Sequence, residues 1–364
     1  MTSGGKRYLI EAWLRKELQF LVTFHASDRR WQMPFCAALA TGLLLLVGAY
    51  FGHLDYGLVS SLGGQVFLYS PNTKLSHRMG VLMGCAFGMI ASYTLGVLSH
   101  FIPVLQVPVL TFIAALVLMM CRFYGIGLPG GLFFIMAAAI GSYSPIPLLQ
   151  TPLFVGLLAM GALLACLIAL FYGFHAVRQR APEAPRPLPP ASFDYTIFDS
   201  IVIAAFVSLS LALAQALQLE RPYWVPISCL AIIEGQSLRA VWTKQLHRIV
   251  GTCLGLVVAW GLLTLPFDTW GVSLLMMALA FIVETLVVRH YGLAVVFITP
   301  LSIFLAEAAR MGHSSPDALL QARFLDTILG CGVGVIGGLS LHSPRFRKTV
   351  GGWLRHLAPP RLRS

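Results

Sequence analysis

Charge is what this chain has least of. Only 11% of its 364 residues are Asp, Glu, Lys or Arg, 14 acidic against 25 basic, where a soluble domain carries roughly a quarter charged residues. So few charges cannot cover a water-facing surface, which excludes an ordinary soluble domain. No Gly-Lys-Ser/Thr loop is present to cradle a phosphate, no His-Glu-x-x-His to hold zinc, and no Ser-His-Asp set with a recognisable elbow. The nearest pairing, His53 with Asp55, is two polar residues in an expected outer loop. These absences argue against an enzyme and against ATP-driven work, and neither a metal nor another cofactor is expected. Cys36, Cys85, Cys121, Cys166, Cys229, Cys253 and Cys331 stand singly in apolar stretches and read as small packing residues rather than metal ligands. The first residues show no convincing signal-peptide cleavage pattern.

What is there is apolar: 57% of the residues are hydrophobic and the mean hydropathy is +0.80. A bilayer-spanning helix needs roughly 20 such residues, because hydrocarbon offers the backbone no hydrogen-bonding partner and a helix satisfies its own. Twelve stretches qualify as candidates. In the first half they lie near 33–52, 56–70, 79–100, 104–122, 128–146 and 152–174. In the second they lie near 197–218, 222–237, 247–265, 270–288, 292–308 and 321–341. The stretches at 56 and 222 are short and interrupted by Gly63-Gly64 or Pro226.

The two halves echo each other. "TKLSHR" at 73–78 returns as "TKQLHR" at 243–248, and "RFYG" at 122–125 returns as "RHYG" at 289–292. Between the halves, "RQRAPEAPRPLPPAS" holds five prolines, which cannot continue a helix and read as an extended linker. The expected fold is an all-α membrane protein of about 12 transmembrane helices in two parallel six-helix repeats, since an even number of spans returns the chain to its starting side. The divisions are an amphipathic N-terminal segment (1–30), the first repeat (31–175), the Pro-rich linker (176–194), the second repeat (195–342) and a basic tail (343–364).

Basic residues set the orientation, because Lys and Arg collect in short cytoplasmic loops. With the N-terminus inside, 22 of the 25 basic residues fall on the cytoplasmic side, leaving Arg221, Arg310 and Arg323 outside beside Asp55, Asp268 and Asp317. Both termini are therefore expected in the cytoplasm, in a multi-pass protein of the inner (plasma) membrane. The net charge of +11 then reports topology and contact with anionic lipid headgroups, and no nucleic acid is needed to explain it.

In the second half, "YWVPISCLAIIEG" at 223–235 followed by "TKQLHRIVGTCLG" at 243–255 resembles the fusaric acid resistance and aromatic acid exporter family. The resemblance rests on Tyr223 and Trp224 opening a short span, then Arg248, Gly251, Thr252 and Gly255 opening the next. The first half has Tyr56-Gly57 and "RMGVLMG" at the corresponding places. Many members carry a large cytoplasmic domain after six spans; here only the proline linker stands there, a short form. The resemblance implies export of small organic anions, aromatic carboxylic acids in the first place.

The hexapeptides supply the candidate binding residues. Each is expected to open a helix on the cytoplasmic side, where free N–H groups and the helix dipole favour an anion. Arg248, Lys244, His247 and Thr252, with Trp224, and Arg78, Lys74 and His77 in the first half would form two basic clusters at a pseudo-symmetric mouth. Gly251 and Gly255, and likewise Gly80, Gly84 and Gly88, have the small-x-x-x-small spacing of closely approaching helices. Carboxylates inside spans are costly and become functional candidates, so Glu234, Glu284 and Asp326 are the expected proton carriers. The expected activity is proton-driven export. The alternatives are a passive organic-anion channel, since plant malate channels look similar in their six-span unit, and a membrane scaffold that transports nothing. Partners are membrane lipids, the small anion, and a second copy of the chain or an accessory efflux subunit.

Overall fold

The structure, a computed structural model, describes residues 23, 24, 26, 27, 29–179, 183, 184, 187, 188, 192–235, 237–307 and 316–357. Most of the expected N-terminal amphipathic segment, much of the Pro-rich linker and the end of the basic tail lie outside the described residues. Every regular element among the described residues is a helix, and none is a strand.

Each apolar stretch carries a helix. The first six are α1 (Gln32–Tyr50), α2 (Leu54–Gly64), α3 (Leu75–His100), α4 (Gln106–Phe123), α5 (Leu132–Ser142) and α6 (Thr151–Gln179). The next six are α7 (Asp199–Ala216), α8 (Trp224–Ile233), α9 (Leu238–Leu263), α10 (Thr269–Leu286), α11 (Tyr291–Glu307) and α12 (Pro316–His342). A further helix, α13 (Pro344–Leu357), occupies the basic tail.

Eight of these elements are long and apolar enough to cross a membrane: α1, α3, α4, α6, α7, α9, α10 and α12. The other four, α2, α5, α8 and α11, are shorter. At 1.5 Å per residue a ten-residue helix covers about 15 Å, roughly half of the hydrocarbon thickness. Local chemistry stops them early. Helix α2 tightens into a 3-10 turn over Gln65–Tyr69, and α8 ends at Glu234 and Gly235, where Val241 leaves no room for a side chain on the glycine. The short helices fall second and fifth in each set of six.

Helix neighbours repeat as well. In the first set α1 packs on α2 and α6, α2 on α6, α3 on α5 and α6, and α4 on α5. In the second, α7 packs on α8 and α12, α8 on α12, α9 on α11 and α12, and α10 on α11. Two larger seams join the sets, α1 with α10 and α4 with α7, and α5 also touches α8. At one, the Ser273 hydroxyl donates to the Leu45 carbonyl at 3.2 Å; at the other, Thr111 donates to Ser208 at 2.7 Å. An ion pair sits at an end of each seam with its signs exchanged: Arg122 of α4 with Asp199 of α7 at 3.2 Å, and Arg29, just before α1, with Glu284 of α10 at 3.6 Å.

Helix α13 folds back on the start of α7. Arg347 reaches Asp199 at 2.6 Å, so that carboxylate holds two arginines, and Arg355 reaches Asp194 at 2.9 Å.

Candidate functional site

The second set of helices encloses the polar centre, and glycine lets it close. Gly330 and Gly334 of α12 lie against the Val225 and Cys229 carbonyls of α8, the latter at 2.8 Å from where a Cβ would stand. On the other side Gly251 and Gly255 of α9 lie 2.7 and 2.6 Å, measured the same way, from the Gly292 and Val296 carbonyls of α11. The expected role of Gly251 and Gly255 as close-approach glycines is met. Of Gly80, Gly84 and Gly88 in the first set, only Gly88 touches a neighbour, the Phe134 ring; Gly80 and Gly84 meet nothing within 4 Å. That stretch of α3, with Met83 and Phe87, faces outward instead of packing, which corrects the expectation of a close helix contact there.

Between α8, α9, α11 and α12 lies Arg248, only 5% exposed. Its Nη2 donates to Ser228 Oγ at 3.3 Å and its Nη1 to the Tyr291 hydroxyl at 3.4 Å, while its Nε has no partner. Both bonds are at the long end for N–H···O, so the guanidinium is guided rather than saturated by the protein. Arg248 does not open its helix, as the hydropathy boundary implied. Ser237 caps α9 by accepting from the Ala240 N–H at 3.2 Å, and Leu238–His247 extend the helix ahead of the arginine. Arg248 therefore lies away from the helix N-terminus and its dipole, in a buried setting instead.

Arg323 joins it from α12, also 5% exposed. Its guanidinium carbon lies 4.1 Å from the centre of the Trp224 ring, and its Nε and Nη1 have no hydrogen-bond partner. Arg323, expected on the outer side at the start of the 321–341 stretch, lies two turns inside α12, which begins at Pro316. One turn beyond it Asp326 is fully buried, with neither carboxylate oxygen hydrogen-bonded. Trp224 and Ser228, four residues apart on α8, share one helix face, so the two guanidinium groups dock one turn apart along the same wall. Their mutual electrostatic influence follows from that closeness.

The other expected residues divide. Thr252 is buried one turn after Arg248. The His247 ring lies tilted against that of His290, ring centres 5.1 Å apart, and Lys244 is half-buried two turns from the start of α9. In the first half Lys74 is the exposed N-cap of α3, His77 meets Thr73 Oγ1 at 2.9 Å, and Arg78 is buried with its Nε on the Pro71 carbonyl at 2.7 Å. That cluster does open a helix; its counterpart does not, so the two are not equivalent in register. Glu234 ends α8 beside the turn at Gly130, whose carbonyl accepts from Tyr69 at 2.8 Å, with Arg122 and Lys244 as its basic neighbours. Glu284 is held by Arg29. Sequence reading passed over Ser228 and Tyr291, for which no signal stood out, and took Arg323 for an outer-side residue one turn before Asp326 rather than for a site residue.

Comparison with known proteins agrees with this division. Residues 208–337 match the family model described as fusaric acid resistance protein-like. A stretch of 146 residues is 33% identical to a Bacillus subtilis (strain 168) protein described as uncharacterized membrane protein YvaC, covering 40% of this chain and 23% of the relative. The chain thus spans about a quarter of that relative's length. No solved structure matches. The matched family region holds α8, α9, α10 and α11 whole and nearly all of α12, and with them Trp224, Ser228, Arg248, Tyr291, Arg323 and Asp326. This chain is a multi-pass membrane protein whose residues 208–337 are similar to the family described as fusaric acid resistance protein-like.

Proposed function

We propose that the protein exports small organic anions, aromatic carboxylic acids among them, across the inner membrane, with twelve membrane helices in two parallel repeats and both termini in the cytoplasm. The observation that carries the transport reading is Arg248: a guanidinium buried amid apolar helices, held by two long hydrogen bonds to hydroxyls and carrying an unpartnered N–H. An ionised group inside a membrane is costly and marks a substrate path or a relay. The duplicated pattern of helix neighbours supports the two-repeat arrangement, and the short helices in corresponding places support a site at that depth, where broken spans line transport cavities. The substrate class comes from the family description.

Proton coupling narrows to Asp326 under this reading. Glu284 has Arg29 for a partner and Glu234 ends a helix, whereas Asp326 is fully buried without a hydrogen bond. Flux into proteoliposomes tests the whole proposal, with benzoate and fusaric acid as probes. Accumulation that needs an imposed pH gradient supports the exporter. Downhill conductance alone assigns a passive channel, and no flux in correctly inserted protein leaves a scaffold.

A further inference from the structure

We propose that Arg248, Arg323 and Asp326 form one buried site selective for a monocarboxylate over a dicarboxylate. The inference rests on the transport reading and deepens it by counting charge. Two guanidinium groups dock one turn apart on the face of α8, Arg323 over Trp224 at 4.1 Å and Arg248 on Ser228 at 3.3 Å. Asp326 stands one turn along α12 from Arg323. Three guanidinium nitrogens among them, Arg248 Nε and Arg323 Nε and Nη1, have no acceptor, and both Asp326 oxygens have no donor. Buried polar groups left unpaired are expensive, and a low-dielectric site is most stable when its charges cancel. Arg221 and Glu220, the other charged neighbours of Asp326, offset each other, so two cations and one anion leave a single positive charge uncompensated. One carboxylate supplies both the missing negative charge and the missing acceptors.

A dicarboxylate would bring one negative charge too many. The surroundings fit a ligand with an apolar body, since Ile232 of α8 and Cys331 and Val335 of α12 form a buried apolar cluster close by. In the second half two such guanidinium groups meet; the first half has one, Arg78, whose Nη1 is likewise buried without an acceptor. In the first, Arg78 spends its Nε on the Pro71 carbonyl and lies near the Tyr172 ring, and α6 carries no arginine opposite it among its described side chains.

Equilibrium binding to the purified full-length protein in detergent tests the count, with benzoate as the monocarboxylate and phthalate as the dicarboxylate. The unaltered protein should prefer benzoate by about tenfold or more, the equivalent of one modest charge imbalance. Asp326→Asn leaves two uncompensated positive charges and should shift the benzoate-to-phthalate ratio by about tenfold or more toward phthalate. Adding Arg323→Gln to Asp326→Asn restores a single positive charge and should restore the preference for benzoate. Arg323→Lys keeps the charge and should keep the preference while weakening both ligands. An unchanged ratio in Asp326→Asn, with size-exclusion elution as for the unaltered protein, overturns the proposal, as does failure of the double variant to restore it. If single variants misfold, the charge-restored double variant alone decides. Binding with this selectivity but without flux would overturn the transport reading and leave the site standing; flux of both acids at equal affinity would do the reverse.

Discussion

Replacing Arg248 by lysine keeps a positive charge and removes the planar fork. The guanidinium can present a pair of parallel N–H groups to a carboxylate, whereas an ammonium is a compact, strongly hydrated point charge. In the protein its Nη1 and Nη2 contacts are 3.4 and 3.3 Å long, so their loss should lower stability by only about 1 kcal/mol. Losing a charge-assisted bond to substrate costs more, about 1.5–3 kcal/mol, or roughly tenfold to a hundredfold in affinity. Arg78→Lys should show the opposite balance. Its Nε bond to the Pro71 carbonyl is 2.7 Å long and closes a local turn, so stability should fall while substrate affinity changes little. The assay is concentration-dependent uptake of labelled benzoate into inside-out vesicles, paired with thermal unfolding of the purified variants. If both variants keep near-normal affinity, Arg248 is an anchor inherited by duplication and the binding role falls. If affinity drops equally in both and follows stability, the effect is structural.

Gly334→Val should disrupt the α8–α12 contact, because a Cβ there would stand 2.8 Å from the Cys229 carbonyl oxygen; we expect about 1–3 kcal/mol of overpacking strain and loss of binding. Gly80→Ala, which meets nothing within 4 Å, should change unfolding by no more than about 0.5 kcal/mol. Asp199→Asn releases both Arg122 and Arg347 and should lower the thermal midpoint by the equivalent of about 1.5–3 kcal/mol, read by unfolding in detergent; an unchanged midpoint would mean that the docked α13 adds no stability. A cysteine at position 184 in the linker should react with an impermeant maleimide only from the cytoplasmic side, and labelling in intact cells would reverse the proposed orientation.

Much of the helical layout could be read from the chain, and particular helices show why some could not. Hydropathy located α1, α3, α6 and α10 to within about four residues at most ends, because apolar content over twenty residues is a local, additive property. It failed at α9, whose first turns are charged or polar at Arg239, Thr243 and Lys244 yet helical, so Arg248 moved from a border into the interior. The same error displaced Arg323, since α12 begins at Pro316, five residues ahead of the apolar run. At α2 and α8 the apolar run outlasts the helix, which ends in a 3-10 turn or at Gly235.

The sequence by itself determined that this chain enters a membrane, that two hexapeptides echo each other 170 positions apart, and that Tyr223, Trp224, Arg248 and Thr252 stand in the stretch similar to fusaric acid resistance proteins. Each of these properties is carried by residues near one another along the chain, as apolar content, charge placement or a short spacing. Which charges lie together was decided by tertiary structure alone. Arg248 and Arg323 are separated by 75 positions in the chain, and they meet because Gly330 and Gly334 bring α12 onto α8 while Gly251 and Gly255 bring α9 onto α11. Close packing of backbones is a relation between faces of different helices, and no window along one helix contains it.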